Sequence, residues 1–539
     1  MNDATGATRR RSFYGWGYED DTVSPEEMAW FERTWADLFG VDRFEPASMP
    51  VESEITIRTP RIAIPIALRS FCTDDRYERL FHTWGRSVHD IARMIHRRDF
   101  SNPPDVVALP RTEADVAAVL DWCGDNGYAA VPFGGGSSVT GGVNHTRDER
   151  YKGLVTIDLR HLDRVLEIDR TSQAARIQAG VLGPSMERQL KASGLTMRFF
   201  LQAWEFSSLG GWIATRAAGH YATNYTQIDD HIESLRVVTP RGTIASHRWP
   251  TSGAGPNPDR LFLGSEGALG VITEAWVRLH RKPTYRSATT VRFDDYEKAV
   301  NATRAISQSG LFPANARLLE REEARFTEAG DGRHDVLVLT FESGDHPLDA
   351  WMARALEICA DHGGEWDVEA LSDEASQRKG AAGNWRDKFL RGPYLRPHAI
   401  ARGVMRDTME SCVTWDRYLD FQATVKARTR KAIREITGRE GTCTVRFTHI
   451  YPDGPAPYFT WHALGDKDRL VEQFWAIKAA ASDAMCDAGG TITHHHSLGP
   501  DHRQWYDREV PPLFREVLRA SKNTLDPKWV LNPGILFDR

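Results

Sequence analysis

The chain has 539 residues, 41% hydrophobic and 26% charged, with a formal net charge of −6 at pH 7. That length holds about two to four domains and an interior large enough for a sizeable cofactor. The acidic balance argues against nucleic acid or an anionic membrane as a general partner, and no apolar run approaches the roughly 20 residues that span a bilayer.

Arg9-Arg10-Arg11 is followed by Ser12 to Asp21 without an apolar core, so it does not read as an export signal. The C-terminal Leu536-Phe537-Asp538-Arg539 lacks a peroxisomal ending. Cys72, Cys123, Cys359, Cys412, Cys443 and Cys486 are far apart and form no Cys-x-x-Cys pair. Neither a disulfide framework nor a zinc module is indicated; no metal is expected, and the expected location is the reducing cytoplasm.

Ser24-Pro25-Glu26-Glu27 is a helix start with a capping serine and proline at the first position. Met28, Phe31, Trp35, Leu38 and Phe39 follow at helical spacing up to Gly40. The acidic flanks favour core packing over a membrane surface. Residues 1–100 are therefore expected to form a helical N-terminal region. From Pro103 short strands alternate with helices: a helix from Thr112 to Gly127, strands at Leu154–Asp158 and Ala175–Gly180, a helix from Pro184 to Ala192, and a strand from Val271 to His280. Residues 101–283 thus read as an α+β cofactor domain, 284–500 as a second mixed domain, and 501–539 as a C-terminal segment.

Within the first of these lies Gly134-Gly135-Gly136-Ser137-Ser138, then Gly141-Gly142, after the strand-like Ala129–Phe133. Successive glycines let backbone N–H groups converge on an anion, so a phosphate or pyrophosphate is the expected ligand; the alternative is an ordinary flexible loop. The spacing fits neither a P-loop nor Gly-x-Gly-x-x-Gly. Two further small-residue segments follow, Ser207 to Gly219 and Gly264 to Thr273. Another distinctive string, His494-His495-His496-Ser497-Leu498-Gly499, comes after Thr491-Ile492-Thr493, which reads as a strand; alternation would put His494 and His496 on one face. A surface histidine cluster and a zinc pair are both open readings of it.

The three small-residue segments, in this order, resemble the FAD-binding domain of the vanillyl-alcohol oxidase flavoprotein superfamily. The resemblance implies a PCMH-like two-subdomain FAD-binding domain with an α/β cap domain, and a C-terminal segment, Leu525 to Leu536, that returns to it. It places dissociable, non-covalent FAD against Pro132, Phe133, Gly134, Gly135, Gly136, Ser137 and Ser138. Ser207, Ser208, Gly210, Gly211, Thr215, Arg216, Ala217 and Ala218 would follow, then Glu266, Gly267, Ala268, Leu269, Gly270, Val271 and Ile272.

The His-His-His-x-x-Gly string further resembles the alkyldihydroxyacetonephosphate synthase (alkylglycerone-phosphate synthase) family. That family exchanges the acyl chain of acyl-dihydroxyacetone phosphate for a fatty alcohol in ether lipid synthesis, with capture of C1 on flavin N5 and no net redox change. The resemblance assigns catalysis to Tyr458, His495, His496 and Arg396, and substrate binding to Arg396, Arg317 and His494. By sequence alone Tyr458 reads equally as a core aromatic, and a lone arginine as a surface charge. One departure stands out: Phe199 replaces the family's imidazole and Gln202 a carboxylate, so a polar contact is missing or supplied elsewhere.

A lipid-like small molecule is the expected partner and nucleic acid is not; a weak peripheral membrane contact and a homodimer stay open. The rival reading is an FAD-dependent D-2-hydroxy acid dehydrogenase or oxidase, and the third a non-catalytic flavin-binding protein.

Overall fold

The computed structural model describes residues 9–220, 227–367 and 381–539. Near the start, Arg9 pairs with Asp20 and Asp21 and Arg10 with Glu19, while the Arg11 guanidinium lies 4.0 Å from the Phe206 ring centroid. The basic triplet is therefore folded against the body of the protein, with Arg10 on the surface. Helix Pro25–Phe39 begins with Ser24 Oγ accepting from Glu27 N at 3.1 Å and ends at Gly40, φ 62°. Its stripe packs inward: Phe31 and Trp35 sit with Leu395, Ala399 and Val404, far away in sequence.

The first sheet has the order β1-β2-β4-β3, with β1 Cys72–Thr73, β2 Val106–Ala108, β3 Tyr128–Phe133 and β4 Gly153–Asp158. β2, β4 and β3 run parallel and are buried on both faces, which is why they read as continuous apolar runs. Helix Glu113–Asn126 connects β2 to β3; a Thr112–Asp115 capping box opens it and Gly127 at φ 71° closes it. The second sheet is antiparallel, order β5-β6-β10-β8-β9: β5 Val165–Asp169, β6 Ala174–Gln178, β8 Ile232–Thr239, β9 Gly242–Ala245 and β10 Val271–Arg278. A short pair, β7 Leu195–Thr196 with β11 His280–Arg281, flanks it. The end of the chain comes back to β3: Ala130 N donates to Val530 O and Asn532 N to Ala130 O.

The third sheet is antiparallel, order β12-β14-β13-β16-β17-β15. Its strands are β12 Tyr285–Phe293, β13 Asn315–Leu319, β14 Asp335–Ser343, β15 Val404–Glu410, β16 Thr442–Ile450 and β17 Pro455–Leu464. Alternation divides β15, β16 and β17 sharply. Met405, Met409, Cys443, Val445, Phe447, Phe459 and Trp461 face one way into the apolar core. Arg406, Thr408, Glu410, Thr444, Arg446, Tyr458, Thr460 and His462 face the other way. All nine residues of β16 are nonetheless buried, so the polar face is covered too. That covered polar face is one wall of the site.

Candidate active site

The glycine loop leaves the end of β3 and lies directly on the segment 206–208. A Cβ on Gly135 would sit 1.7 Å from the Phe206 carbonyl oxygen, and one on Gly134 2.1 Å from Ser208 Oγ. Among the described residues, none of the backbone N–H groups from Gly134 to Ser138 donates to a protein acceptor. Unpaired N–H groups in so confined a loop are donors for a bound anion. Ser138 Oγ accepts from Gly142 N at 2.9 Å, and Asn532 Nδ2 donates to Gly142 O and Glu266 O. The loop is thus tied to both later small-residue segments. Gly135→Ala should cost about 3 kcal/mol of stability and abolish retention of the cofactor, read as melting temperature and bound-flavin absorbance.

Across a cavity of about 210 Å³ from this loop stands the polar face of the third sheet. The register aligns Glu410 of β15 and Arg446 of β16 with Tyr458 of β17 between them. The Arg446 guanidinium lies 4.1 Å from the Tyr458 ring centroid. Burial pushes the Tyr458 phenol above its ordinary range, opposed by Arg446, so it stays protonated at neutral pH.

The histidine string is not a strand. Glu410, 1% exposed, accepts from the backbone N–H of His494 (2.6 Å), His495 (3.0 Å) and His496 (2.6 Å), and from Thr493 Oγ1 (2.9 Å). Three consecutive N–H groups converging on one carboxylate bend the chain, and the alternation expected of a strand is lost. His495 and His496 both face the cavity, with ring centroids 5.9 and 5.6 Å from Tyr458. Burial is the first cause that lowers the pKa of each: His495 falls well below the usual imidazole value and His496 to about 3. They are therefore neutral imidazoles at pH 7. His494 lies one layer behind, bonded to Tyr451 OH at 2.7 Å and Gln227 Nε2 at 3.0 Å.

Among the other expected residues, Gly134 to Ser138, Ser207, Ser208, Gly211, Thr215, Ala217, Ala218, Arg317 and Arg396 line the cavity. Pro132, Phe133, Gly210, Arg216 and Glu266 to Ile272 do not. Pro132 instead packs under Gly267, and Val271 and Ile272 belong to β10. Arg317 is no surface charge: it is 2% exposed, and its Nη2 lies 2.8 Å from His220 Nδ1. His220, which sequence reasoning missed, supplies an imidazole at the cavity wall directly after the Ser207–Gly219 segment. Phe199 does not face the cavity but packs on Trp212, while Gln202 does line it. Among the described residues, His449, His494 and His495, and Glu410, His495 and His496, hold possible ligand atoms within 4.8 Å of one another.

Glu266 is buried behind the site and accepts from Leu498 N at 2.7 Å and Gly499 N at 3.0 Å. Burial holds its carboxyl up to about 7 against an ordinary 4.5. Its contribution is therefore complete below the ordinary value and is lost as pH rises through the raised one, by about 3 kcal/mol. Glu266→Gln should flatten the melting temperature between about pH 5 and pH 8; a wild-type slope in the variant would show that another group titrates.

Comparison with known proteins places this geometry. Residues 104–247 match the FAD binding domain family, and residues 282–536 match the family of FAD linked oxidases, C-terminal domain. The chain is 30% identical over 480 residues to the alkyldihydroxyacetonephosphate synthase of Trypanosoma brucei brucei, covering 86% of this chain and 78% of the relative. A solved alkyldihydroxyacetonephosphate synthase superposes with a TM-score of 0.79 at 25% identity, over 97% of this chain and 98% of that one. Substrate-bound p-cresol methylhydroxylase, at a TM-score of 0.66 and 14% identity over 87% and 94% of the two chains, shares the fold alone. The fold is of the vanillyl-alcohol oxidase type. FAD is the cofactor, and the open N–H groups of Gly134 to Ser138 suit its pyrophosphate. From its sequence and its fold together, the chain belongs to the alkyldihydroxyacetonephosphate synthase family.

Proposed function

We propose that the protein exchanges the acyl chain of acyl-dihydroxyacetone phosphate for a fatty alcohol. The C1–O bond to the acid breaks, a C1–O bond to the alcohol forms, and the reaction has no net redox change. The observation that carries this reading is Tyr458, His495 and His496 on one cavity wall, opposite the glycine loop. Bound FAD supplies electron-sink chemistry at its ring system. The neutral imidazoles of His495 and His496 accept the C1 proton, and the Tyr458 phenol exchanges a proton with the departing acid and the entering alcohol. Arg396 and Arg317 hold acidic groups of the substrate at the cavity wall.

The division into 1–100, 101–283, 284–500 and 501–539 belongs to the same reading, as do a homodimer, weak peripheral membrane contact and a cytoplasmic location. No described helix is long and apolar enough to cross a membrane. The test is FAD-loaded protein with palmitoyl-dihydroxyacetone phosphate and hexadecanol under anaerobic conditions. Mass spectrometry should find hexadecyl-dihydroxyacetone phosphate, with the flavin still oxidised at the end.

One observation favours a second reading, FAD-linked oxidation of a D-2-hydroxy acid. His449, His494 and His495 are spaced to hold a divalent cation that would polarise a hydroxy acid. EDTA-sensitive bleaching of the flavin by a D-2-hydroxy acid, without ether product, would establish that reading instead.

A further inference from the structure

The cavity continues behind Tyr458. A space of about 30 Å³ shares Arg396, Thr408 and Tyr458 with the catalytic cavity. It shares Trp35, Gln202, Arg406 and Arg446 with a further space of about 60 Å³ under helix Pro25–Phe39. Three guanidiniums face this passage. Arg446 Nη1 pairs with Glu323 and reaches Thr460 Oγ1 at 3.2 Å, while its buried Nε has no acceptor among the described residues. Arg396 gives one N–H to Arg86 O at 2.9 Å. The Arg406 guanidinium makes neither a hydrogen bond nor an ion pair with a described residue.

Among the described residues, Glu323 is the one carboxylate lining either space, and it already accepts from Arg446 and Thr444. His462, beside Arg406, is neutral because burial lowers its pKa to about 3. Tyr458 is a neutral phenol and Gln202 a neutral amide. Asp407, next to Arg406 in sequence, points to the other face of the sheet, where it meets Lys478 at 3.5 Å. Among the described residues the passage therefore carries an excess of about two positive charges, and with Arg446 buried and Arg396 and Arg406 half-buried that charge is only partly solvated and favours an anion. A hydrocarbon chain placed here would cover Arg406 and leave that charge unmet.

We propose that Arg406, with Arg446 and Arg396, forms an anion subsite behind Tyr458 that takes the phosphate monoester of the substrate. A dianion matches the charge excess, and guanidinium forks match phosphate oxygens. Seated there, the phosphate positions the remainder of the substrate at Tyr458 and sends the alkyl chain elsewhere. Only the identity of the phosphate's carrier rests on the function proposed above.

The test is calorimetric titration of the FAD-loaded protein with inorganic phosphate, and with acetate at equal ionic strength. Phosphate should bind more tightly than acetate. Arg406→Gln should weaken phosphate at least tenfold with flavin content unchanged, and Gln202→Glu, which sets a carboxylate against the guanidiniums, should do the same. In the ether assay Arg406→Gln should raise KM at least tenfold, with a smaller change in kcat. Wild-type phosphate affinity in both variants, or acetate binding as tightly as phosphate, would overturn the subsite. Arg406-dependent phosphate binding by a protein that makes no ether keeps the subsite and removes the proposed reaction; ether formation at wild-type KM in Arg406→Gln does the reverse.

Discussion

Tyr458→Phe should lower turnover by about 10²–10⁴-fold while leaving flavin content and melting temperature close to wild type. The ring is 4% exposed on β17, between the strands that carry Glu410 and Arg446, so phenylalanine keeps the packing and loses only the hydroxyl. The Arg446 guanidinium over the ring stays in place with either residue. Because burial raises the phenol's pKa, the wild-type enzyme should show no alkaline loss attributable to Tyr458 below its ordinary value of 10.0. Single-turnover kinetics with FAD-loaded protein checks both points. Undiminished turnover in the variant would move the acid–base role to His495 or His496.

Glu410→Gln is the second large effect expected, and it should act on structure and chemistry together. The wild-type carboxylate holds three consecutive backbone N–H groups and the Thr493 hydroxyl. A glutamine offers one acceptor oxygen and turns an NH₂ toward the remaining donors. Leaving those buried donors unpaired should cost about 3–5 kcal/mol, concentrated in residues 493–498. His495 and His496 would then leave their places beside Tyr458, and turnover should fall at least as far as in Tyr458→Phe. Hydrogen exchange of the 493–498 amides separates this from a purely chemical effect, since Tyr458→Phe should not change it. Wild-type protection in Glu410→Gln would mean that the string is positioned by its flanks, through the contacts of Leu498 and Gly499 with Glu266.

How far the site was legible follows from how local each determinant is. The caps at Ser24 and Thr112 and the glycine loop after β3 depend on residues a few positions apart, and each was readable as a pattern. The strand reading of His494 to His496 failed because its determinant, Glu410, lies 84 residues before His494. Glu266 to Ile272 follow the flavin pattern, yet the segment lies behind the cavity, because the Glu266 carboxylate turns to the N–H groups of Leu498 and Gly499. Arg406 and Arg446 gave no sequence signal, since an arginine in a half-polar strand is ordinarily a solvated charge.

By itself the sequence determined the cofactor class, the family, and the residue types that can move a proton or hold an acid. These follow from backbone freedom at glycines and from side-chain chemistry. Strand register alone decided that Glu410, Tyr458 and Arg446 meet on adjacent strands. Helix Pro25–Phe39, by packing on residues some 360 positions later, closed the passage that the Arg406 guanidinium lines. Pairing and burial between distant segments set those contacts, and no local pattern encodes them.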